Sequence, residues 1–554
     1  MSNDLLSEGS PPEHAPGFDL TERPWIRVLR ANGTEDELSL SQVFHQAPNL
    51  LRLVGDVPTQ EFALFRLLLA VLHDAVDGPE SADDWRELWE ADTLPCERID
   101  EYLDEYRERF DLLHPETPFF QVAKLRTKKN EYSSLDRVVA DVPNGNRFFT
   151  MRAHGAKRLG FAEAARWLVH AQAFDTSGIK SGAVGDERVK GGKGYPQGVA
   201  WAGNLGGVMV QAADLRESLL LNLVATEYPH IRAEDDDAPA WRHPPAGPGP
   251  LEPVEAVHRP YGVRDLYTWQ SRRVRLHFDT EGVHGVLLAY GDPLAPHDGR
   301  HLQEPMTGWR RSQTQEKKHK RPQVYMPREH DPARSAWRGL ASLITDRVQG
   351  RADDFVRPRV LDWVAWLATE GILRDKDRRV RARLIGARYG TQQAVIDEVI
   401  DDDVNMAVAL LDDEHEGLRQ QAVNAVDDAY QAVEVLGTLA HDLARAAGAE
   451  PGPRRDTARD RGYGQLDAHY RNWVGSLDSH TDPDRARAEW QRTLREQIRR
   501  IGDELADTAG PSAWEGRIVE TKAGDLWLST PQARKRFRQA LARLLPSTAP
   551  APMS

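Results

Sequence analysis

One cysteine, Cys96, stands in the whole sequence. It excludes an intrachain disulfide and a cysteine-based zinc site, and it suits a reducing cytoplasm. No stretch reaches the roughly 20 apolar residues that a membrane-spanning helix needs. The longest runs, such as residues 67–72, read as buried helix, so no membrane partner is expected. A basic start followed by an apolar segment is missing as well. Residues 1–17 are polar and proline-rich, and a frayed tail is expected there instead of a signal peptide. Positive charge is in deficit: 72 Lys and Arg against 86 Asp and Glu give a net charge of −14. That argues against a free-standing nucleic-acid binder but leaves room for a local basic patch. No His-Glu-x-x-His, no G-x-x-x-x-G-K-[ST] and no strand–helix G-x-G-x-x-G occurs. Neither a resident metal nor a cofactor is expected.

What is present is a long soluble-type chain whose character changes along its length. Its 554 residues allow two or more domains. Segments 25–29 and 37–40 flank Asn32-Gly33, a hairpin signal. Helices are expected at 40–47, 60–75, 84–90, 99–109 and 161–173. The 60–75 segment is apolar on nearly every side (Phe62, Leu64, Phe65, Leu67, Leu68, Leu69) and should lie deep in a core. From about Asp402, segments 414–447, 458–477, 483–507 and 530–545 show helical periodicity. Pro451-Gly452-Pro453 and Gly510-Pro511 are read as turns between them. The expected fold class is α+β. A tail (1–17) precedes a large, mixed, mostly irregular N-terminal globular domain (18–401), and a C-terminal four-helix bundle (402–554) follows.

Three groups of residues invite a functional reading. The first is basic: Lys124, Arg126, Lys128 and Lys129; Arg147 and Arg152 around Phe148-Phe149-Thr150; Arg272 and Arg273; and Lys317, Lys318, Lys320 and Arg321. Such clusters are commonly solvated faces, but their repetition with aromatics in an acidic chain also fits phosphate contacts. The second is a glycine-rich stretch, 177–207, including Gly191-Gly192-Lys193-Gly194. Turns and close backbone approach to a ligand both account for it. The third is four His-Asp pairs, at His73, His297, His330 and His441. These motivate a metal-dependent phosphohydrolase as the enzymatic alternative, although no cluster with ligand spacing surrounds His73.

Several segments together resemble the CasA family, the large subunit of the type I-E CRISPR surveillance complex Cascade. They are residues 18–28 and 57–74, Pro118-Phe119-Phe120-Gln121, Gly178-Ile179-Lys180-Ser181-Gly182, residues 214–222 and residues 385–396. The match runs in order along essentially the whole chain. The resemblance implies a non-catalytic subunit that recognises the protospacer-adjacent motif in double-stranded DNA. It also implies that the subunit nucleates strand opening and R-loop formation and docks the helicase-nuclease.

Carried onto this sequence, the family's glycine loop falls on Phe174, Asp175, Thr176, Ser177 and Gly178, with Lys180 beside it. The duplex wedge falls on Gln392, Gln393 and Ala394. The loop toward the guide-RNA 5′ end and a neighbouring subunit falls on Phe148, Phe149 and Thr150. Arg272, Arg273, Lys317, Lys318 and Lys320 are expected to contact phosphates. The implied partners are the other Cascade subunits, the CRISPR RNA, target DNA and the helicase-nuclease. One family element is absent: the lysine finger has its nearest counterpart around Tyr290, and Arg272, Arg273 or His284 is expected to substitute. A minor-groove reader of this kind is selective yet tolerant, because that groove carries a degenerate code. Neutral amides suit the wedge, since they pair with base edges and bring no fixed charge into the stack. An adaptor that never touches DNA is the remaining alternative.

Overall fold

The hairpin forms where the Asn32-Gly33 signal places it. Ile26–Arg30 pairs antiparallel with Glu35–Leu38, and Leu50–Leu53 adds a third strand on the other side. The computed structural model describes residues 5–7, 17–140, 155–228, 231, 236–299, 303–345, 355–521 and 524–546. Its helices and small sheets make the α+β class expected from the sequence. No described helix is long and apolar enough to cross a membrane. Leu5–Ser7 lies antiparallel to Glu131–Ser133. Part of the segment expected to fray is therefore held as a strand.

The chain divides into two compact units. The first holds residues 1–333, 346–372 and 380–403. Its core is organised by the helix Pro58–Val76, of which every residue after Pro58 is buried. A helix without a polar face can only be stable when surrounded, and its charged members need partners. Arg66 forms a bidentate pair with Glu304 at 2.6 and 2.8 Å, and Trp201 donates to the same carboxylate at 3.0 Å. Glu61 receives Arg383, which also grips Asp401 at 2.7 and 2.9 Å.

Two of the segments that carried the resemblance fix this fold through amide side chains. Gln121 donates to the Leu112 carbonyl at 2.8 Å and accepts from the Leu276 amide at 2.8 Å. Asn222 accepts from the Val210 amide at 3.0 Å and returns a bond to the Val210 carbonyl at 2.7 Å. It thereby satisfies a strand residue in Gly207–Gln211 as a neighbouring strand would. That strand pairs with Arg379–Tyr389, which is followed in the same sheet by Ile396–Ala407.

The second unit holds residues 334–345, 373–379 and 404–554. Four long helices, Glu416–Ala447, Pro451–Ser476, Pro483–Asp507 and Thr530–Leu544, supply its core. Trp490 and Tyr470 are fully buried there and donate to the Ala425 and Ala422 carbonyls at 2.9 and 2.8 Å. The second helix begins at Pro451, not at 458 as the periodicity suggests, so Pro451-Gly452-Pro453 is its first turn and not a break between helices. Proline is well tolerated in a first turn, where its missing N–H has no partner to lose. Two features escaped the sequence reading. A hairpin, Arg517–Thr521 with Gly524–Leu528, precedes the last helix. The 334–345 segment also joins this unit, with Trp337 stacked on Tyr470 at 4.7 Å and donating to Asp467 at 2.9 Å.

Candidate nucleic-acid interface

The helix Phe161–Phe174 leads into the loop on which the glycine-loop assignment falls. Its last turn is anchored in the core. Phe174 meets Phe62 edge-on at 6.2 Å and stacks on His170 at 5.5 Å, while the His170 ring contacts the Thr59 hydroxyl at 2.9 Å. Beyond it the chain is held from beneath. Asp175 receives Lys180 at 2.7 Å and the Arg272 guanidinium, and Arg272 also donates to the carbonyls of Asp175, Thr176 and Gly198 at 3.0–3.1 Å. Burial opposes ionisation of Asp175, but the two cations outweigh it and hold the carboxyl below its ordinary range. Burial brings the Lys180 ammonium down to about 8.

Two tyrosines complete the cradle. The Tyr290 hydroxyl lies 2.8 Å from both the Ser177 and Gly178 carbonyls and shares its one proton between them, and Tyr389 donates to the Phe174 carbonyl at 2.7 Å. Burial raises both hydroxyls above an ordinary phenol, so they serve as neutral donors. Arg272 lies over the Tyr290 ring at 4.8 Å.

The amide turn connects Arg379–Tyr389 to Ile396–Ala407 and touches this loop directly. Gly390 donates to the Val395 carbonyl at 3.0 Å, closing the turn, and Ser177 donates its backbone amide to the Gln393 carbonyl at 2.7 Å. Gln392 and Gln393 both have positive φ, 57° and 55°. Consecutive non-glycine residues in that region carry strain on the order of 1 kcal/mol each. Their side chains are exposed, as is that of Thr391.

The structure thus brings two of the expected groups together: Ser177 and Gly178 with Gln392, Gln393 and Ala394. It corrects other assignments. Phe174 is fully buried, the Asp175 and Lys180 side chains are only 8% and 4% exposed, and Ser177 is buried with its hydroxyl accepting from the Gly198 amide at 3.1 Å, so these four hold the loop and leave half-buried Gly178 beside the turn. Arg272 and Arg273 are equally buried. Arg273 is occupied by Asp292 at 2.8 Å and by the Gly247 and Gly249 carbonyls. Neither can grip phosphate or replace a lysine finger, because a desolvated guanidinium stays with its partners. Tyr290, at the finger's expected place, is a buried brace. His284 packs beside Tyr132 at 5.7 Å. Lys317, Lys318 and Lys320 are exposed on and just after the short helix Gln313–His319, as phosphate contacts would require. Phe148, Phe149 and Thr150 lie outside the described residues. Sequence reading included Tyr389 in a family segment but gave it no role; a bond across 215 residues leaves no local signal.

The His-Asp pairs do not assemble a site. His73 contacts the Gly78 carbonyl at 3.1 Å, and burial with nearby Arg264 lowers it to about 3. Its neighbour Asp74 is bound by Tyr102, Arg264 and Arg242 at 2.6–3.0 Å. His330 contacts the Gly207 carbonyl at 2.8 Å. Among the described residues no group of three or more His, Cys, Asp and Glu could hold a metal ion.

Comparison with known proteins agrees with this architecture. The family model described as CRISPR-associated protein Cse1 matches residues 19–501. The crystal structure of Thermobifida fusca Cse1 is 58% identical with a TM-score of 0.90, covering 96% of this chain and 99% of that one. CRISPR-associated protein CasA/Cse1 of Thermus thermophilus is 33% identical over 294 residues. That alignment covers 53% of this chain and 55% of the relative, so it spans about half the relative's length. A chain of a CRISPR RNA-guided surveillance complex shares the fold at 18% identity and a TM-score of 0.69, covering 95% of this chain and all of that one.

Proposed function

This chain belongs to the CRISPR-associated Cse1 family, and from that premise we propose that it is the large, non-catalytic subunit of a type I-E CRISPR surveillance complex in the cytoplasm. In this reading it recognises the protospacer-adjacent motif in double-stranded DNA and nucleates strand opening. It assembles with the other Cascade subunits and the guide-RNA 5′ end, and it docks the helicase-nuclease.

The observation that carries this reading is the bond from the Ser177 amide to the Gln393 carbonyl. It sets a small-residue loop, with Gly178 next in line, against a strained, exposed turn bearing two neutral amides. Half-buried Gly178, which has no side chain, admits a groove edge closely. A turn of that kind can enter a base step, at a cost of a few kcal/mol that surrounding contacts offset. Hybrid formation is then a nearly balanced exchange that needs only a start. The exposed lysines at 317, 318 and 320 add a salt-sensitive phosphate grip.

The deciding experiment is target binding and strand opening by the reconstituted complex carrying Gln392→Ala/Gln393→Ala. Loss of opening on duplex target is expected. Binding and opening equal to the unmodified complex would sink the wedge assignment and favour an adaptor without DNA contact.

A further inference from the structure

Two large apolar side chains stand exposed next to the loop, Ile179 at 46% and Tyr195 at 51%. They flank one end of a short antiparallel ladder in which Lys180 pairs with Gly194 and Ser181 with Lys193. Continued outward by one position, that register would set Ile179 opposite Tyr195. A scattered exposed apolar residue needs no explanation, but a neighbouring pair beside a candidate site does.

The ladder is firmly built. Lys190 and Lys193 exchange two backbone bonds, both at 3.1 Å, around Gly191-Gly192. The φ values there, 59° and 74°, are those of a tight turn that needs positive φ at both central residues. The Gly182 amide donates to the Gly192 carbonyl at 3.1 Å, and a Cβ at Gly182 would lie 2.5 Å from the Gly192 backbone. These glycines therefore serve turns and close packing within the protein. What they present outward is two exposed lysines, Lys190 and Lys193.

The pair also adjoins the amide turn. Gly178 directly precedes Ile179, and a Cβ at Gly178 would lie 3.8 Å from Ala394. The nearby acids Asp175 and Asp186 are engaged by Lys180, Arg272 and Arg188, leaving Glu187 as the exposed carboxylate of this stretch. An aromatic face with lysines near it suits a strand whose bases are unpaired, since every base offers a π-face and the cations meet its phosphates.

We propose that Tyr195, backed by Ile179, is a stacking platform for a nucleobase unpaired at the Gln392-Gln393 turn, with Lys190 and Lys193 holding phosphates of the same strand. The inference rests on the function proposed above, and its test is chosen to fail separately from it. The reconstituted complex with the full-length chain is assayed on two targets: a duplex, and the same sequence with a mismatched bubble beside the motif. Tyr195→Ala should weaken binding to both, roughly tenfold for one lost base–aromatic stack. Gln392→Ala/Gln393→Ala should weaken binding to the duplex alone, because the bubble needs no wedge. Tyr195→Trp should restore binding and Tyr195→Leu should not, a comparison that holds even if the alanine variant is poorly folded. Unchanged bubble affinity in Tyr195→Ala, or full rescue by leucine, overturns the platform and leaves the wedge to be judged on the duplex. Loss of duplex binding in neither variant overturns both.

Discussion

The backbone amide of Ser177 donates to the carbonyl of Gln393 at 2.7 Å. This bond joins a loop after a helix to the turn of a distant hairpin, and each bears on how the other is presented. The loop is otherwise fixed by Arg272, Lys180, Tyr290 and Tyr389, all reaching it from the protein side. The turn is strained. A strained element persists only where its surroundings over-determine it, and the Ser177 bond is one of those constraints.

Tyr290→Phe removes the hydroxyl that serves two carbonyls while keeping the ring over which Arg272 lies. We expect a loss of about 1 kcal/mol in stability. Faster hydrogen exchange at the loop amides should accompany it, with weaker discrimination between motif and non-motif DNA. Exchange measured by mass spectrometry on the 174–182 peptide reads the first effect, and competition binding reads the second.

Gln392→Gly tests the strain at the turn. Glycine reaches φ near 57° without steric cost, so stability should hold or rise by up to about 1 kcal/mol even as strand opening falls. A clear drop in melting temperature would show that the side chain supports the fold and is not held ready for a ligand.

Asp175→Asn leaves the buried Lys180 and Arg272 side chains without their anion. Removing one member of a buried ionic group costs about 3–5 kcal/mol, more than the pair itself contributes. Chemical denaturation should show that loss. The Asp175 carboxyl is held below its ordinary value, so its contribution is present above the unfolded carboxylate pKa and disappears as pH falls through the lower folded value.

His73 and His170 are buried and His330 is half-buried, and desolvation lowers them to about 3, 4 and 4. Between pH 6.5 and about 4 the unfolded chain binds protons that the folded chain refuses, so stability falls as pH falls through that window. Each histidine contributes a slope of about 1.4 kcal/mol per pH unit. His330→Gln retains a donor for the Gly207 carbonyl and should flatten the urea-midpoint profile by one histidine's share; an unchanged profile would contradict the assignment.

Gly502→Ala in the bundle separates propensity from packing. Alanine favours a helix over glycine by about 1 kcal/mol. Yet a Cβ at Gly502 would lie 2.3 Å from the ring of Phe537, a buried side chain. Overpacking of this kind costs about 1–3 kcal/mol, so net destabilisation is expected in thermal unfolding.

Elements whose signals are local could be read directly from the chain. The Asn32-Gly33 hairpin, the all-apolar helix Pro58–Val76 and the long periodic helices near the C-terminus were legible because turn chemistry and hydrophobic period act within a few residues. The ordered family motifs were legible too, and those at Gln121 and Asn222 turn out to brace the fold. Which charged and small residues face outward was settled by tertiary packing alone. Arg272, Arg273 and Lys180 read as free cations in the sequence, yet the fold buries Arg272 and Lys180 around Asp175 and Arg273 beside Asp292. The glycines of 182–194 left turns and approach to a ligand both open in the sequence; the fold uses Gly191-Gly192 as a tight turn and packs Gly182 against the Gly192 backbone. Ile179, noted in sequence only as part of a family motif, and Tyr195, given no role there, are left exposed near the amide turn. The reason is that burial and ion pairing depend on partners brought in from distant parts of the chain, and no local pattern records them.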